Sequence, residues 1–216
     1  MGYTAVVCGL PSLLAQVPEI GAGAAPYIIF IAAIFTNNIL LSNFLGMCSF
    51  LAISKQIKAS FGLGLAVTFV LTMTSALNWA LNSFVLVPLG LEYLQFITFI
   101  IVIAAFVQFV EIVIERFSPA LYFALGIFLP LITVNCAILG VSLFMIVRNY
   151  TFARAVAYGI GSGIGWTMAI VAIAGIRYKL RFSNVPKPLE GIGITMILAG
   201  LMAFAFMGFA GMVDIK

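Results

Sequence analysis

The sequence predicts an all-α membrane protein with six transmembrane helices. Hydrophobic residues make up 64% of the 216 positions and charged residues only 7%, a balance typical of chains whose main solvent is lipid. The apolar residues form long blocks of about 20 residues, the length that a helix needs to cross about 30 Å of hydrocarbon. Segments of about 10 residues with alternating polarity, typical of outer-membrane barrels, do not occur in the sequence.

Six apolar blocks predict the six spans. They cover residues 27–53, 63–87, 94–114, 120–147, 152–176 and 192–213. An apolar extension, residues 1–26, precedes them and lacks the basic stretch with which a cleavable signal begins, so we expect it to be retained. The expected organisation is therefore the extension, a first three-helix unit over residues 27–114 and a second over residues 115–216.

The basic residues between the spans predict the orientation of the chain. Seven of the ten fall on one side: Lys55, Lys58, Arg116, Arg177, Lys179, Arg181 and Lys187. Arg148, Arg154 and Lys216 fall on the other side. The positive-inside rule then places the face with seven basic residues in the cytoplasm and both termini on the outer side of the membrane. The basic residues form no patch, so the sequence predicts the lipid bilayer and no nucleic acid as a partner.

The two three-helix units align with each other as an internal repeat. FLGMC (residues 44–48) matches ITVNC (132–136), and FGLG (61–64) matches YGIG (158–161). Because each copy has an odd number of spans, the two copies must insert in opposite directions, which makes this an inverted-topology repeat.

The first span of each copy contains residues that interrupt helices. Asn37, Asn38, Asn43 and Gly46 precede Cys48 in span 1, and Gly126, Pro130, Thr133 and Asn135 precede Cys136 in span 4. We therefore expect both spans to be broken near the middle of the membrane, where unwound backbone can line a protected cavity. The repeat also leads us to expect that the two cysteines face each other, although uninterrupted helices would place them at different depths.

The residues alone leave several roles open for Cys48 and Cys136. Free cysteine commonly packs as a small hydrophobe, and a disulfide is disfavoured so far from oxidising machinery. The third role is metal ligation: an iron–sulfur cluster needs four cysteines, so a second chain would have to supply two of them. Cys8, in the extension, is expected to be a plain apolar residue. The chain has no histidine, which excludes haem ligation through histidine and histidine general bases.

Polar residues inside the spans suggest hydrogen bonds between helices or contacts with a cation. Asn43, Gly46, Thr133 and Asn135, beside the two cysteines, are the candidates for tuning a bound group or lining an ion path. No phosphate-binding loop or Ser/His/Asp set is present, so we predict no catalytic residue in this chain.

Longer segments around the cysteines resemble a known family. NFLGMCSFLAISK (43–55) and ALGIFLPLITVNCAILG (124–140) resemble the paired membrane subunits of the Nqr/Rnf family. YGIGSGIGWTMAIVAIAGIR (158–177) and SNVPKPLEGIGIT (183–195) are most similar to NqrE, a membrane subunit of the sodium-translocating NADH:quinone oxidoreductases. VPLGLEYL (87–94) and AFMGFAGMV (205–213) are closer to RnfA of the Rnf complexes, which move electrons between ferredoxin and NAD.

The resemblance implies a function and a partner. It implies a subunit of a Na⁺-translocating NADH:quinone reductase complex, with an Rnf-type complex as the alternative, in which Cys48 and Cys136 supply half the ligands of an intramembrane [2Fe–2S] cluster. A homologous membrane subunit of opposite orientation, NqrD-like or RnfE-like, would supply the other half. Further subunits would carry flavins on opposite faces of the membrane, with the cluster relaying electrons between them.

Two hypotheses from other classes stay open at this point. An inverted-repeat secondary transporter would bind a small solute where the broken helices meet and would carry no visible chromophore. A structural scaffold of a larger complex would keep full activity when Cys48 and Cys136 are replaced by serine.

Overall fold

The structure, a computed structural model, describes residues 25–54, 56–117, 132–183 and 191–210. Every regular element in these ranges is a helix, which confirms the all-α prediction. Residues 1–24 of the predicted extension, including Cys8, lie outside the described residues, and so do the helix breakers Gly126 and Pro130.

Seven helices follow one another along the described chain. They are α1 Pro26–Ile34, α2 Met47–Ile53, α3 Ile57–Leu89, α4 Gln95–Phe117, α5 Cys136–Val147, α6 Phe152–Leu180 and α7 Ile192–Ala210. Near its end α3 passes through a π-helical turn, Asn82–Leu86. Among the described helices, α3, α4 and α6 are long and apolar enough to cross a membrane. The six-span inverted repeat stays a prediction.

The first predicted span is interrupted, as its asparagines and glycine indicate. Helix α1 ends at Ile34 and α2 begins only at Met47. The side chain of Asn38 replaces backbone hydrogen bonds inside this break: its Nδ2 donates to the carbonyl oxygen of Gly165 at 2.8 Å, and its Oδ1 accepts from the amide of Leu40 at 3.1 Å. Buried backbone groups that leave a helix need such partners, and a short amide side chain supplies them.

The described part of the fourth predicted span is also interrupted. Residues 132 and 133 are helical, the chain turns at Val134, and α5 begins at Cys136. Asn135 is the N-cap of α5, with its Oδ1 accepting from the amide of Ala137 at 3.0 Å. This is the favoured arrangement of an asparagine at a helix start, because the first amides of a helix have no partner within it.

Helix α6 forms the centre of the fold and packs against α3 and α1 through small residues. A Cβ added at Gly163 would lie 2.8 Å from Thr68 Cα on α3, and one at Gly161 would lie 2.7 Å from the carbonyl oxygen of Phe30 on α1. Thr68 and Thr167 meet across the same interface, with their hydroxyl oxygens 3.1 Å apart. Because lipid offers no hydrophobic drive between helices, close backbone contact and such hydrogen bonds hold the interface.

Helices α4 and α7 present large apolar side chains outward. Exposed examples are Phe96, Ile101 and Phe109 on α4 and Phe204 and Met207 on α7. A soluble protein would not expose this much apolar surface, whereas lipid or a neighbouring subunit covers it without cost. The two described cysteines lie on other elements, beside the two interrupted segments.

Candidate functional site

The two interrupted segments meet through a hydrogen bond to sulfur. The amide of Gly46 donates to Cys136 Sγ, with the nitrogen 2.9 Å from the sulfur. Gly46 lies only two residues before Cys48, so this contact joins the two segments that carry the cysteines. Gly46 and Cys136 are 90 positions apart in sequence. The break in the first span makes the contact possible, because Gly46 lies outside any helix and its amide is free to turn toward α5.

Cys48 and Cys136 are both free thiols, and both are exposed. Their exposure is contrary to the hypothesis that they pack as small hydrophobes in the core, and it leaves both sulfurs open to a neighbouring chain. No group of three or more His, Cys, Asp or Glu residues that could hold a metal ion occurs in the part of the chain that the structure describes. Each of the two segments that meet through the Gly46 amide therefore carries one exposed thiol.

Gly46 occupies a position that only glycine fits without strain. Its φ is +84°, in the left-handed region that side chains with a Cβ rarely adopt. A Cβ at this position would also lie 2.7 Å from Trp166 Nε1 and 3.1 Å from Asn135 Oδ1. The hydrogen bond to Cys136 therefore depends on a backbone conformation and on free space that a larger residue would remove.

Asn135 connects the starts of the two cysteine-bearing helices. While its Oδ1 caps α5, its Nδ2 donates to Ser49 Oγ at 3.3 Å, and that hydroxyl in turn donates to the carbonyl oxygen of Gly46 at 3.0 Å. Asn135 and Ser49 are buried. The cysteines are thus attached to two helix starts that a buried hydrogen-bonded network holds in fixed relation.

The other two polar candidates lie beside the same breaks. Asn43 is half-buried in the non-helical segment between α1 and α2, with its amide nitrogen 3.4 Å from the side-chain amide of Asn37. Thr133 is half-buried in the helical residues that precede the turn at Val134, three positions before Cys136. Both are therefore close to a cysteine along the chain, and Asn43 lies in unwound backbone as expected.

An arginine that the sequence analysis used only as a topology signal contacts the first break. Arg148 follows the last residue of α5, and its guanidinium stacks 5.6 Å from the ring centroid of Tyr158 and 5.7 Å from that of Phe144. With the Asn37 amide oriented so that its oxygen faces the guanidinium, it accepts from both terminal nitrogens, at 2.8 and 2.9 Å. The signal available in the sequence was a charged residue directly after an apolar helix.

A second arginine fixes the end of α2. Arg177 Nη1 donates to Ser54 Oγ at 2.5 Å and to the carbonyl oxygen of Leu51 at 3.3 Å. The last carbonyls of a helix lack partners within it and carry partial negative charge, so a guanidinium there satisfies and stabilises them. The short helix with Cys48 is therefore held at its start by the Gly46 network and at its end by Arg177.

Comparison with known proteins identifies the family. The family described as "Rnf-Nqr subunit, membrane protein" matches residues 27–213. The chain belongs to this family. The match begins where the predicted apolar extension ends, and it includes both exposed cysteines and every helix but the first residue of α1.

Two relatives represent two branches of the Rnf-Nqr family. The A-type subunit of the Na(+)-translocating ferredoxin:NAD(+) oxidoreductase complex of Acetobacterium woodii is 53% identical over 184 residues, covering 85% of this chain and 96% of the relative. The E-type subunit of the Na(+)-translocating NADH-quinone reductase of Serratia proteamaculans is 54% identical over 189 residues, with the same two coverages. The resemblance to both branches is thereby confirmed.

Proposed function

We propose that this Rnf-Nqr chain is a membrane subunit of a Na⁺-translocating NADH:quinone reductase complex. In this proposal Cys48 and Cys136 supply half the ligands of a [2Fe–2S] cluster, and a homologous membrane subunit of opposite orientation supplies the rest. The observation that carries the proposal is the hydrogen bond from the Gly46 amide to Cys136. It joins two segments from opposite halves of the chain, and each segment carries an exposed free cysteine.

The chemistry of the two segments fits such a cluster. Thiolate sulfur is the ligand that iron–sulfur clusters use, and backbone amides that donate to those sulfurs stabilise their negative charge. The Gly46 amide is such a donor, and the start of α5, at Cys136, adds the partial positive charge of a helix N-terminus. When bound, the cluster would accept and release single electrons.

The residues around the cysteines are proposed to hold and tune this site. Asn135 and Ser49 fix the two helix starts, so the cysteine backbones are positioned before any ligand binds. Asn43 and Thr133 are proposed to contribute polarity around the site or to contact a passing cation. Unchanged sodium pumping after replacement of both by alanine would rule out the cation contact.

An Rnf-type complex is the second candidate. It is favoured by the Acetobacterium woodii relative, whose identity of 53% is almost equal to the 54% of the Nqr relative. The purified complex distinguishes the two candidates by its substrates. NADH oxidation with a quinone as acceptor supports the Nqr type, whereas NAD⁺ reduction with ferredoxin as donor supports the Rnf type.

The proposal includes the location and orientation of the chain. We place it in the bacterial cytoplasmic membrane with both termini on the periplasmic side, beside flavin-carrying subunits of the same complex. The excess of basic residues in the loops that would face the cytoplasm supports this orientation. An alkaline phosphatase fused after Lys216 should then be active, and an inactive fusion would reverse the orientation.

Electron paramagnetic resonance of the reduced, purified complex tests the cluster. Cys48→Ser and Cys136→Ser should each abolish the [2Fe–2S] signal assigned to this site, because each removes one of four ligands. Cys8→Ser is the matched control, since it removes the only other cysteine of the chain and should leave the signal intact. A signal and turnover unchanged in both variants, with the subunit still assembled, would reject the proposal and favour the transporter or scaffold.

A further inference from the structure

Two consecutive residues of α6 contact the two ends of the break in the first span. Gly165 contacts the end that follows α1: its carbonyl oxygen accepts from Asn38 Nδ2 at 2.8 Å, and a Cβ added at Gly165 would lie 3.1 Å from the carbonyl oxygen of Ile34. Trp166 contacts the end that precedes α2, with its Nε1 2.7 Å from the position of a Cβ added at Gly46. The central helix of the fold therefore supports both ends of the unwound segment.

The Trp166 side chain lies against the Gly46 turn and is fully buried. Its Nε1 is a hydrogen-bond donor only, so it cannot accept the N–H of Gly46. The Cys136 sulfur can accept this N–H and does so, with the Gly46 nitrogen 2.9 Å away. Trp166 therefore limits the space in which the turn can move without competing for the amide that the site uses.

The indole N–H of Trp166 has no hydrogen-bond partner among the described residues. A buried donor without a partner destabilises the folded state, so packing stability alone would favour a residue without the N–H. Residues that break such a local rule are expected where a functional geometry has to be held. The geometry next to Trp166 is the Gly46 turn, whose amide donates to Cys136.

We propose that Trp166 is a positioning residue for the cysteine site. Its flat, non-accepting ring holds the Gly46 turn so that the Gly46 amide donates to Cys136. It acts through Gly46 and makes no hydrogen bond of its own to the sulfur. The effect on a bound cluster rests on the proposed function, whereas the effect on the Gly46 amide is a property of this chain alone.

Hydrogen–deuterium exchange of the Gly46 amide tests the positioning role in the full-length chain, purified alone into lipid nanodiscs and resolved by fragmentation mass spectrometry. Cys136→Ala removes the acceptor and gives the rate of the unbonded amide. Trp166→Leu should accelerate exchange at Gly46 about tenfold, toward that rate, because the turn gains room to move. Trp166→Phe should keep the wild-type rate, since it keeps a flat ring without an acceptor.

Trp79→Leu is the matched control, because Trp79 is the other tryptophan of the chain and its Nε1 donates to the Tyr150 carbonyl oxygen at 2.8 Å. It should leave exchange at Gly46 unchanged. Equal rates in wild type and Trp166→Leu would overturn the proposal, and so would an equal acceleration by Trp79→Leu, which would indicate a general loss of stability. Should Trp166→Leu not fold, Trp166→Met takes its place, since its flexible side chain packs without a flat edge.

The midpoint potential of the cluster in the purified complex tests the role of Trp166 at the proposed site. Trp166→Leu should lower the potential, because a donor to sulfur stabilises the more negative, reduced cluster. Trp166→Phe and Trp79→Leu should leave it unchanged. A [2Fe–2S] signal with the same potential in Trp166→Leu would overturn this role. A wild-type complex without the signal would instead overturn the proposed function, and exchange at Gly46 would still decide whether Trp166 positions the amide.

Discussion

At the scale of single residues, the site depends on one backbone amide. Gly46 turns its amide toward Cys136 only because its φ of +84° is accessible to glycine, and only because no side chain fills the space beside Trp166. The local repeat aligns Gly46 with Val134 rather than with Cys136, so nothing in the repeat predicts this contact. The cysteines and their polar neighbours could be found from the sequence. The Gly46 amide could be recognised as the donor to the Cys136 sulfur only once the two halves of the chain were placed in three dimensions.

Replacing Gly46 separates the cost of backbone strain from the cost of crowding. Gly90 is the control, because its φ of +65° is also left-handed but no atom lies within 4 Å of an added Cβ. Gly90→Ala should lower the free energy of unfolding by about 1–2 kcal/mol through strain alone. Gly46→Ala should cost about 1–3 kcal/mol more, because its Cβ collides with Trp166 and Asn135. Thermal unfolding of the two variants in detergent measures the difference.

The same substitution should change the electronic properties of the site. If the Gly46 amide donates to a cluster ligand, its displacement in Gly46→Ala should shift the midpoint potential of the cluster, since hydrogen bonds to the sulfurs help to set it. Gly90→Ala should leave the potential unchanged. Equal potentials in wild type and both variants would show that the amide contact is structural only.

The two arginines show where residue-level prediction failed. Arg148 and Arg177 were counted as loop charges that orient the chain, but each also holds a segment of the site: Arg148 binds Asn37 in the first break, and Arg177 binds the end of α2. A charge count uses only the side of the membrane on which each basic residue lies. It contains no information on which carbonyl or amide a long side chain reaches in three dimensions.

At the scale of elements, the breaks were the best-predicted feature. Asparagine and glycine in an apolar span compete with helix hydrogen bonds, and the structure shows the helices stopping where these residues cluster. The helix ends were predicted less well. Helix α3 begins at Ile57 rather than at 63, and α6 continues to Leu180 rather than 176, because charged side chains near helix ends reach the interface and need not terminate the helix.

The contact of α6 with α3 can be tested within a single helix. Gly163→Ala adds a Cβ 2.8 Å from Thr68 Cα, so the two backbones must separate, and we expect a loss of about 1–3 kcal/mol in unfolding free energy. Gly175 lies on the same helix, and no atom lies within 4 Å of a Cβ added there. Gly175→Ala should therefore be neutral or stabilising by up to about 1 kcal/mol. Chemical denaturation in detergent compares them; equal stabilities would contradict the proposed close packing.

At the scale of the whole molecule, composition predicts the all-α membrane class, but the arrangement of the spans can be seen only from the positions of the helices. The all-α membrane class and the Rnf-Nqr family follow from apolar blocks and from the cysteine segments. The inverted repeat stays a prediction, because the first part of span 4, residues 120–131, lies outside the described residues. The exposure of both cysteines could not be predicted, since a sequence does not show which surface of a membrane helix faces lipid, core or partner.

The iron and acid-labile sulfide content of the purified protein shows whether two chains share one cluster. We expect the chain purified alone to contain neither, because it offers two thiols at the proposed site, and the chain purified with its homologous partner subunit to contain both in the ratio of a [2Fe–2S] cluster. A full complement of iron and sulfide in the monomeric chain alone, or in a co-purified pair lacking Cys48 and Cys136, would contradict this expectation.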